Sequence, residues 1–401
     1  MNKKLLIIVA SVIVVLGLLL AVYFMFFSGK GGGLGATPNP FVGAGDKEPS
    51  NDVTSGPIEG AGTIVAPRLM RITEGPVAHG AVALQVTVPG VSSTTPGIED
   101  TEIRYIERKS GNVYAFRLHD RTLTRISNKT LPGIIDAAWF KDGSQALARF
   151  VANEGGVDRI ATYALPANGG EGYFLQSDLV SVGVSASSSI YTLASGSAGS
   201  VVSTIQPSTG VVSTLFTTPL SAVTAQLFGK SDVVVTTKPS QEISGYAFLH
   251  AGGSASPSRI LGPFQGLSTL PDPTGKSVLF SYVYRGKVLL SVLDIATRTT
   301  TQLPVATLAE KCVWAPDGLS LYCGVPTALS TDLPDAWYQG ARHFTDRLWN
   351  VDLGTRLATL IVDPLAVAET PIDMVSLTLD PVEDALIFTN KTDGSLWAYD
   401  F

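Results

Sequence analysis

Hydrophobic and polar positions fall into three regimes along the chain. Leu5 to Phe27 runs for 23 residues without a charge, rich in Leu, Ile and Val, long enough at about 1.5 Å per residue to cross a hydrocarbon core of about 30 Å as one helix. Ser28 to Ala66 shows no period. From Pro67 to Phe401 short alternating segments recur between clusters of turn residues, the pattern of half-buried β-strands.

The clearest repeat unit is Cys312-Val313-Trp314-Ala315-Pro316-Asp317-Gly318-Leu319-Ser320-Leu321-Tyr322-Cys323, two alternating strands around a Pro-Asp-Gly turn. Proline presets φ for the first turn position and glycine accepts a positive φ, so a hairpin follows. Ala138-Trp139-Phe140-Lys141-Asp142-Gly143-Ser144-Gln145-Ala146-Leu147 repeats it, and looser copies turn at Ser187-Ser188, Gly229-Lys230-Ser231, Pro273-Thr274-Gly275 and Pro381 to Asp384. Successive turns lie about 45, 43, 44, 43 and 65 residues apart. A period of about 40 to 45 residues with four short strands per unit predicts a β-propeller.

Third strands such as Asn112 to Leu118 and Val288 to Asp294 are followed by short fourth strands, among them Thr122 to Ile126, Ser213 to Phe216, Ser258 to Leu261, Thr299 to Leu303 and Leu357 to Ile361. The last unit stops at its third strand, Ser395 to Phe401. A fourth-strand pattern without a unit of its own, Pro67 to Thr73, precedes the first. The N-terminal strand is therefore expected to close the last blade and leave no open edge. First strands beginning at Ala78, Ile134, Val180, Ala222, Gly266, Lys311 and Met374 predict seven blades, with six and eight as alternatives.

Trp314-Ala315-Pro316-Asp317-Gly318 and Trp139-Phe140-Lys141-Asp142-Gly143 resemble the WD-like repeat of TolB-type propeller proteins. The resemblance covers Pro67 to Phe401 and is specific at two of the units. It implies a rigid disc used for protein or ligand contact, in a family whose members are often non-enzymatic.

Location is written in the N-terminus. A cleaved signal peptide has an apolar region of about 7 to 15 residues and a small-residue cleavage site, whereas this run ends in Tyr23-Phe24-Met25-Phe26-Phe27, suited to an interfacial aromatic belt. Residues 1–27 are expected to be a cytoplasmic stub and an uncleaved single-pass signal anchor. Lys3 and Lys4 hold the N-terminus in the cytoplasm by the positive-inside rule, and the rest lies outside. Residues 28–66, with ten Gly and four Pro, form a flexible tether spanning on the order of 35 Å as a coil. Residues 67–401 are the propeller.

Composition narrows the partners. Only 15% of the 401 residues are charged and 45% are hydrophobic, with a net charge of −6. An acidic chain without a basic stripe excludes nucleic acid as a partner. Two cysteines and four histidines leave little for a metal cage, and no metal or cofactor is implied. His79, His119, His250 and His343 fall in different units with no metal-ligand spacing. Gly275-Lys276-Ser277 and Gly229-Lys230-Ser231 end like a phosphate loop but lack its first glycine and sit at hairpin turns. Asp142, Asp317 and Asp384 share a position in the repeat, which points to turn hydrogen bonding rather than a carboxylate set. Asn128-Lys129-Thr130 and Asn390-Lys391-Thr392 fit the glycosylation pattern.

Two local features remain. Cys312 and Cys323 flank the Asp317-Gly318 turn symmetrically, so a loop of two or four residues sets them opposite each other at a spacing that suits a disulfide, whereas a loop of three aims them apart; two small buried thiols are the alternative. The longer spacing of the sixth unit reflects an insertion, Pro326 to Thr345, containing Trp337, Tyr338, Arg342, His343 and Phe344. These five are the candidate binding residues, since Trp, Tyr and Arg are enriched at binding hot spots. The competing expectation is that the aromatics cover the side of the disc as a small core.

Two functions follow as expectations. One is an extracytoplasmic interaction module of the cell envelope that binds another envelope protein, a peptide or a glycan. The other is a propeller enzyme, a lyase or hydrolase, with its site at the disc centre. A funnel lined by Arg, His, Tyr and carboxylates favours the enzyme, and one lined by Ser, Thr, Val and Ala favours the module.

Overall fold

The computed structural model describes residues 68–88, 97–254 and 256–401. The expected anchor at Leu5 to Phe27 and the linker at 28–66 lie outside them. Among the described residues no helix is long and apolar enough to cross a membrane.

The turn chemistry read from the sequence sets the hairpins. In the Trp314 unit the Asp317 carboxylate accepts from Leu319 N at 2.8 Å, Gly318 N donates to Ala315 O at 2.9 Å, and Gly318 has φ +72°. Asp142 plays the same part by accepting from Ser144 N at 3.0 Å. Asp384 does not. In the last unit the turn acceptor is Asp380, one step before the turn, which accepts from Ala385 N at 2.9 Å, as Asp272 accepts from Thr274 N at 2.8 Å. A carboxylate at either position satisfies the amides the tight turn leaves open.

The strands form six antiparallel sheets among the described residues. The first holds Val82–Val88, Ile98–Ile106, Val113–Arg117 and Leu123–Arg125; the second, Ile134–Trp139, Gln145–Glu154, Val157–Pro166 and Tyr173–Phe174; the third, Leu179–Val184, Ile190–Gly196, Gly199–Gln206 and Val211–Thr218. The fourth has seven strands, from Val223–Phe228 to Thr300–Gln302. The fifth holds Cys312–Trp314, Ser320–Pro326, Asp346–Asp352 and Ala358–Val362. The sixth joins Met374–Leu379, Ala385–Asn390 and Leu396–Asp400 to the N-terminal Leu69–Arg71.

The seven-stranded sheet corrects one expectation. Ser258 to Leu261 and the strand starting at Gly266 are not separate but run as one strand, Ser258–Pro271. Gln265 is the crossing point, paired with Ser244 on one side and Val283 on the other. The strand is thus the outer strand of one four-stranded group and the inner strand of the next.

Each sheet buries its faces against its neighbours. Ile106 and Val113 of the first sheet pack with Ile134 and Leu165 of the second, and Phe140 and Leu147 of the second pack with Ile190 of the third. Leu290 and Leu279 of the fourth meet Trp314 and Leu321 of the fifth, and Leu348 of the fifth meets Met374 and Phe388 of the sixth. Finally Ile387, Leu396 and Ala398 of the sixth pack on Ile103 and Tyr105 of the first. The series therefore closes as a propeller. The signature tryptophans tie neighbours together, Trp314 Nε1 donating to Leu270 O at 3.0 Å and Trp139 Nε1 to Gly80 O at 3.4 Å. The two Gly-Lys-Ser stretches are touching turns, and a Cβ on Gly229 would lie 3.0 Å from Gly275 Cα.

Cys312 and Cys323 are direct cross-strand partners and form a disulfide with a Cα separation of 4.0 Å. Ala315 N donates to Ser320 O at 3.0 Å, so the loop between them is Pro316 to Leu319, four residues, the even register that puts both thiols on one face.

Leu69, Met70 and Arg71 pair with Tyr399, Ala398 and Trp397. Arg71 adds an ion pair to Asp393 at 3.1 Å, and Leu69 is buried beside Trp397 and Tyr399. Deleting residues 67–73 exposes this edge and unseats the last sheet; the thermal midpoint is expected to fall by at least about 5 °C. Calorimetry that finds the parent's midpoint would show that closure does not depend on this strand.

Candidate functional site

The innermost strands leave a cavity of about 800 Å³ along the ring axis. It is walled by Asp136 of the second sheet, Ser181 of the third, Thr224 and Gln226 of the fourth, and Ser268 and Thr269 of Ser258–Pro271. Glu310, from a 3-10 turn Ala309–Lys311, adds a carboxylate. Asp335, Tyr338 and Gln339 come from the insertion, on and just past a short helix Asp335–Tyr338. Among the described residues, Lys238 is the one basic residue of the wall, which holds no histidine, arginine or cysteine.

Two hydrogen-bond chains order the wall. Thr236 and Thr269 share a hydroxyl bond at 2.6 Å, and Thr269 Oγ1 donates to Gln226 Oε1 at 3.1 Å. Glu310 accepts from Tyr338 Oη and from Ser268 Oγ, the latter at 3.2 Å. Burial pushes the Glu310 carboxyl above the usual carboxylate range, against the pull of these donors. Burial and the adjacent Glu310 hold the Tyr338 phenol well above its ordinary value. Asp136 is paired with Arg149 at 3.2 Å.

The insertion is anchored on both sides. Asp335 Oδ2 accepts from Gln241 N at 2.7 Å, and a Cβ on Gly266 would lie 2.9 Å from Pro334 Cδ. On the other side its aromatics are core. Trp337 is 4% and Phe344 7% exposed, packed among Val288, Leu308, Leu333 and Val375. Their rings stack at 6.2 Å, and Trp337 Nε1 donates to Asp373 Oδ2 at 2.9 Å. The expectation that Trp337 and Phe344 present a contact surface is therefore corrected: the indole finds apolar neighbours and an acceptor only inside. Tyr338, 39% exposed, turns to the cavity. Arg342 lies at the surface, paired with Asp332 at 3.1 Å. His343 is also outward, with Nδ1 4.0 Å from Asp373 Oδ2. The five candidates thus separate into two core residues, one cavity residue and two surface residues.

Beneath the insertion lies a charge cluster. Lys311, Asp346 and Asp373 are fully buried, with Lys311 Nζ 2.7 Å from Asp346 and hydrogen-bonded to Asp373. Lys311 also donates to Met374 O at 3.0 Å. Asp373 further accepts from Phe344 N at 3.1 Å, so a single carboxylate joins the sixth sheet to the insertion. Lys391 Nζ stands 3.7 Å over the Trp337 ring and hydrogen-bonds Trp337 O, and burial lowers its ammonium from the usual value. Desolvation raises Asp346 to about 6 despite Lys311, and its Oδ1 has no partner. Charges withdrawn from water this far hold only while paired.

Other sequence candidates are structural. Asn390 is 2% exposed and its side chain accepts from Asp373 N at 3.1 Å, so it cannot serve as a glycosylation acceptor in the folded domain. His250 is buried on Phe216 with Nε2 3.0 Å from Ser254 O. Among the described residues no group of three or more His, Cys, Asp or Glu could hold a metal ion. Glu310, Asp335, Gln226 and the Lys311 cluster escaped the sequence reading. The available signal was Glu310-Lys311 and Asp373, charges placed at the threshold of buried first strands.

Comparison with protein-family models and with curated proteins finds no match. Solved structures similar in fold include TolB from Acinetobacter baumannii, with a TM-score of 0.44 and 14% identity over 70% of this chain and 62% of that one. Oligogalacturonate lyase in complex with manganese has a TM-score of 0.50 and 10% identity over 81% of this chain and 98% of that one. Hydrazine synthase of Kuenenia stuttgartiensis has a TM-score of 0.50 and 12% identity over 86% and 99%. This chain spans less than two thirds of the TolB chain. The two neighbours at a TM-score of 0.50 share the fold at 10% and 12% identity, and such identities show a likeness of fold and nothing finer.

Two outcomes test the cluster and the insertion. Trp337→Ala is expected to cost about 3–5 kcal/mol in denaturant unfolding; an unchanged midpoint would mean the ring is not core. Asp346 binds its proton more tightly folded than unfolded, so its contribution is full below about pH 4 and is lost as pH rises through about 6. The stability gap between parent and Asp346→Asn should therefore narrow between pH 4 and pH 7, and a constant or widening gap contradicts the raised carboxyl.

Proposed function

We propose that the protein is a membrane-anchored, extracytoplasmic interaction module of the cell envelope whose binding site is the disc centre. The observation that carries the reading is the cavity wall, where Ser, Thr and Gln outnumber the three carboxylates, Tyr338 and Lys238 and no nucleophile–histidine pair stands. The apolar run Leu5 to Phe27 supports the anchor, and the Gly/Pro-rich 28–66 supports the tether. Counting Ser258–Pro271 once for each neighbouring group supports seven four-stranded blades.

The second reading, an extracytoplasmic lyase or hydrolase, has the Glu310–Tyr338 pair in its favour, since buried titratable groups in a cavity are common at active sites. It lacks a partner group of matched role. The Asp136 carboxylate is engaged by Arg149, and that of Asp335 accepts from Gln241 N through one oxygen.

The test uses the full chain in cells. With cysteines placed at Asn2→Cys and Ser50→Cys, an impermeant maleimide should label only the second before lysis. A photo-crosslinking residue at Gln339, beside the cavity, should give an adduct that the same residue at exposed Val212 does not. Labelling of neither site until lysis overturns the location, and equal or absent adducts overturn the disc-centre site.

A further inference from the structure

We propose that the disc-centre cavity binds a neutral saccharide, held by hydrogen bonds donated by Gln226 and accepted by Glu310 and Asp335, and by the ring face of Tyr338. This rests on the reading that the disc centre is the binding site, and it names the ligand class.

The argument is one of donors and acceptors. Thr269 occupies Gln226 Oε1, which leaves the two N–H donors of Gln226 facing the cavity. Tyr338 and Ser268 both bond Glu310 Oε1, which leaves Oε2 as an acceptor, and Gln241 occupies Asp335 Oδ2, which leaves Oδ1. Gln339 contributes an amide with both functions. A hydroxyl both donates and accepts, so a polyol can meet such a mixed wall at every point. An ammonium group could meet the carboxylates but only donates, so it would leave the amide donors of Gln226 unanswered and would face Lys238. An anion would face the three carboxylates Asp136, Glu310 and Asp335. Tyr338 spends its hydroxyl on Glu310 and packs one edge on Trp337 at 5.3 Å, so the ring is held still while 39% of the residue stays open. A fixed aromatic face suits the C–H face of a sugar ring. The volume of about 800 Å³ falls within the range of about 300–1,000 Å³ of small-molecule sites and exceeds what one ring fills.

The wall is also prepared before any ligand arrives. Thr236, Ser268 and Thr269 are buried and fixed by their own hydrogen bonds, so little ordering remains to oppose binding.

The experiment is saturation-transfer NMR on the full-length protein in lipid nanodiscs. The probes are maltose, cellobiose and N,N′-diacetylchitobiose, with spermidine as the cationic arm and a lysine-containing peptide as the protein-like arm. At least one disaccharide is expected to receive saturation. Its affinity should fall about tenfold in Gln226→Ala and in Tyr338→Ala, the scale of one or two lost contacts. Tyr338→Phe, which keeps the ring, should fall less than Tyr338→Ala. Gln339→Ala, on an exposed loop, should weaken binding while leaving the thermal midpoint unchanged, which guards against loss through unfolding. No transfer to any disaccharide, or affinity indifferent to Gln226→Ala and Gln339→Ala, overturns the proposal. If spermidine or the peptide binds and responds to these variants instead, the saccharide class falls while the disc-centre site stands. If the Gln339 cross-link also fails, both readings fall together.

Discussion

A four-stranded sheet with two apolar faces is stable only between two others, and a row of such sheets has exposed ends unless it closes. Closure here falls to three residues, Leu69, Met70 and Arg71, laid against the strand Leu396–Asp400. Met70 of that strand packs against the cluster in which Ile103 of the first sheet meets Ile387 of the last. The central cavity depends on that closure, because its walls are inner strands of sheets that keep their places only within a closed ring.

The insertion exploits a gap in that plan. Between Ser320–Pro326 and Asp346–Asp352 the repeat would need only a short loop, yet the chain leaves, packs Trp337 and Phe344 inward and returns. Two apolar rings alone would have no preferred orientation. Asp373 supplies one by accepting from the indole and from Phe344 N while also bonding Lys311. The cost is a cluster of charges out of water, visible in the raised Asp346 carboxyl and in its unpartnered oxygen. In return, Tyr338 and Asp335 stand at fixed positions on the cavity wall.

Rigidity and polarity in that wall have one origin. Ser and Thr make up half of the inner-strand wall, and a Thr hydroxyl pair bonds sideways between strands at Thr236 and Thr269. Asp136 and Gln226 stand on inner strands, while Glu310, Asp335 and Tyr338 enter from outside the repeat, at the Ala309–Lys311 turn and on the insertion. A propeller can therefore change its ligand without changing its blades.

What the sequence determined by itself was local or periodic. The 43- to 45-residue spacing, the Asp-Gly turns at Asp142 and Asp317 and the unmatched strand after Pro67 each follow from neighbours a few residues apart or from the comparison of units, whereas the register of Cys312 and Cys323 was decided by the four-residue loop between them. Tertiary structure decided what depends on distant neighbours. Whether Trp337 and Phe344 faced water or core turned on an acceptor 36 and 29 residues away at Asp373. Ser258–Pro271 stayed one strand because Gln265 found partners in two groups at once. The cavity joins Gln226, Glu310 and Tyr338, residues of separate units that no linear pattern brings together, since only closure of the ring points their strands at a common axis.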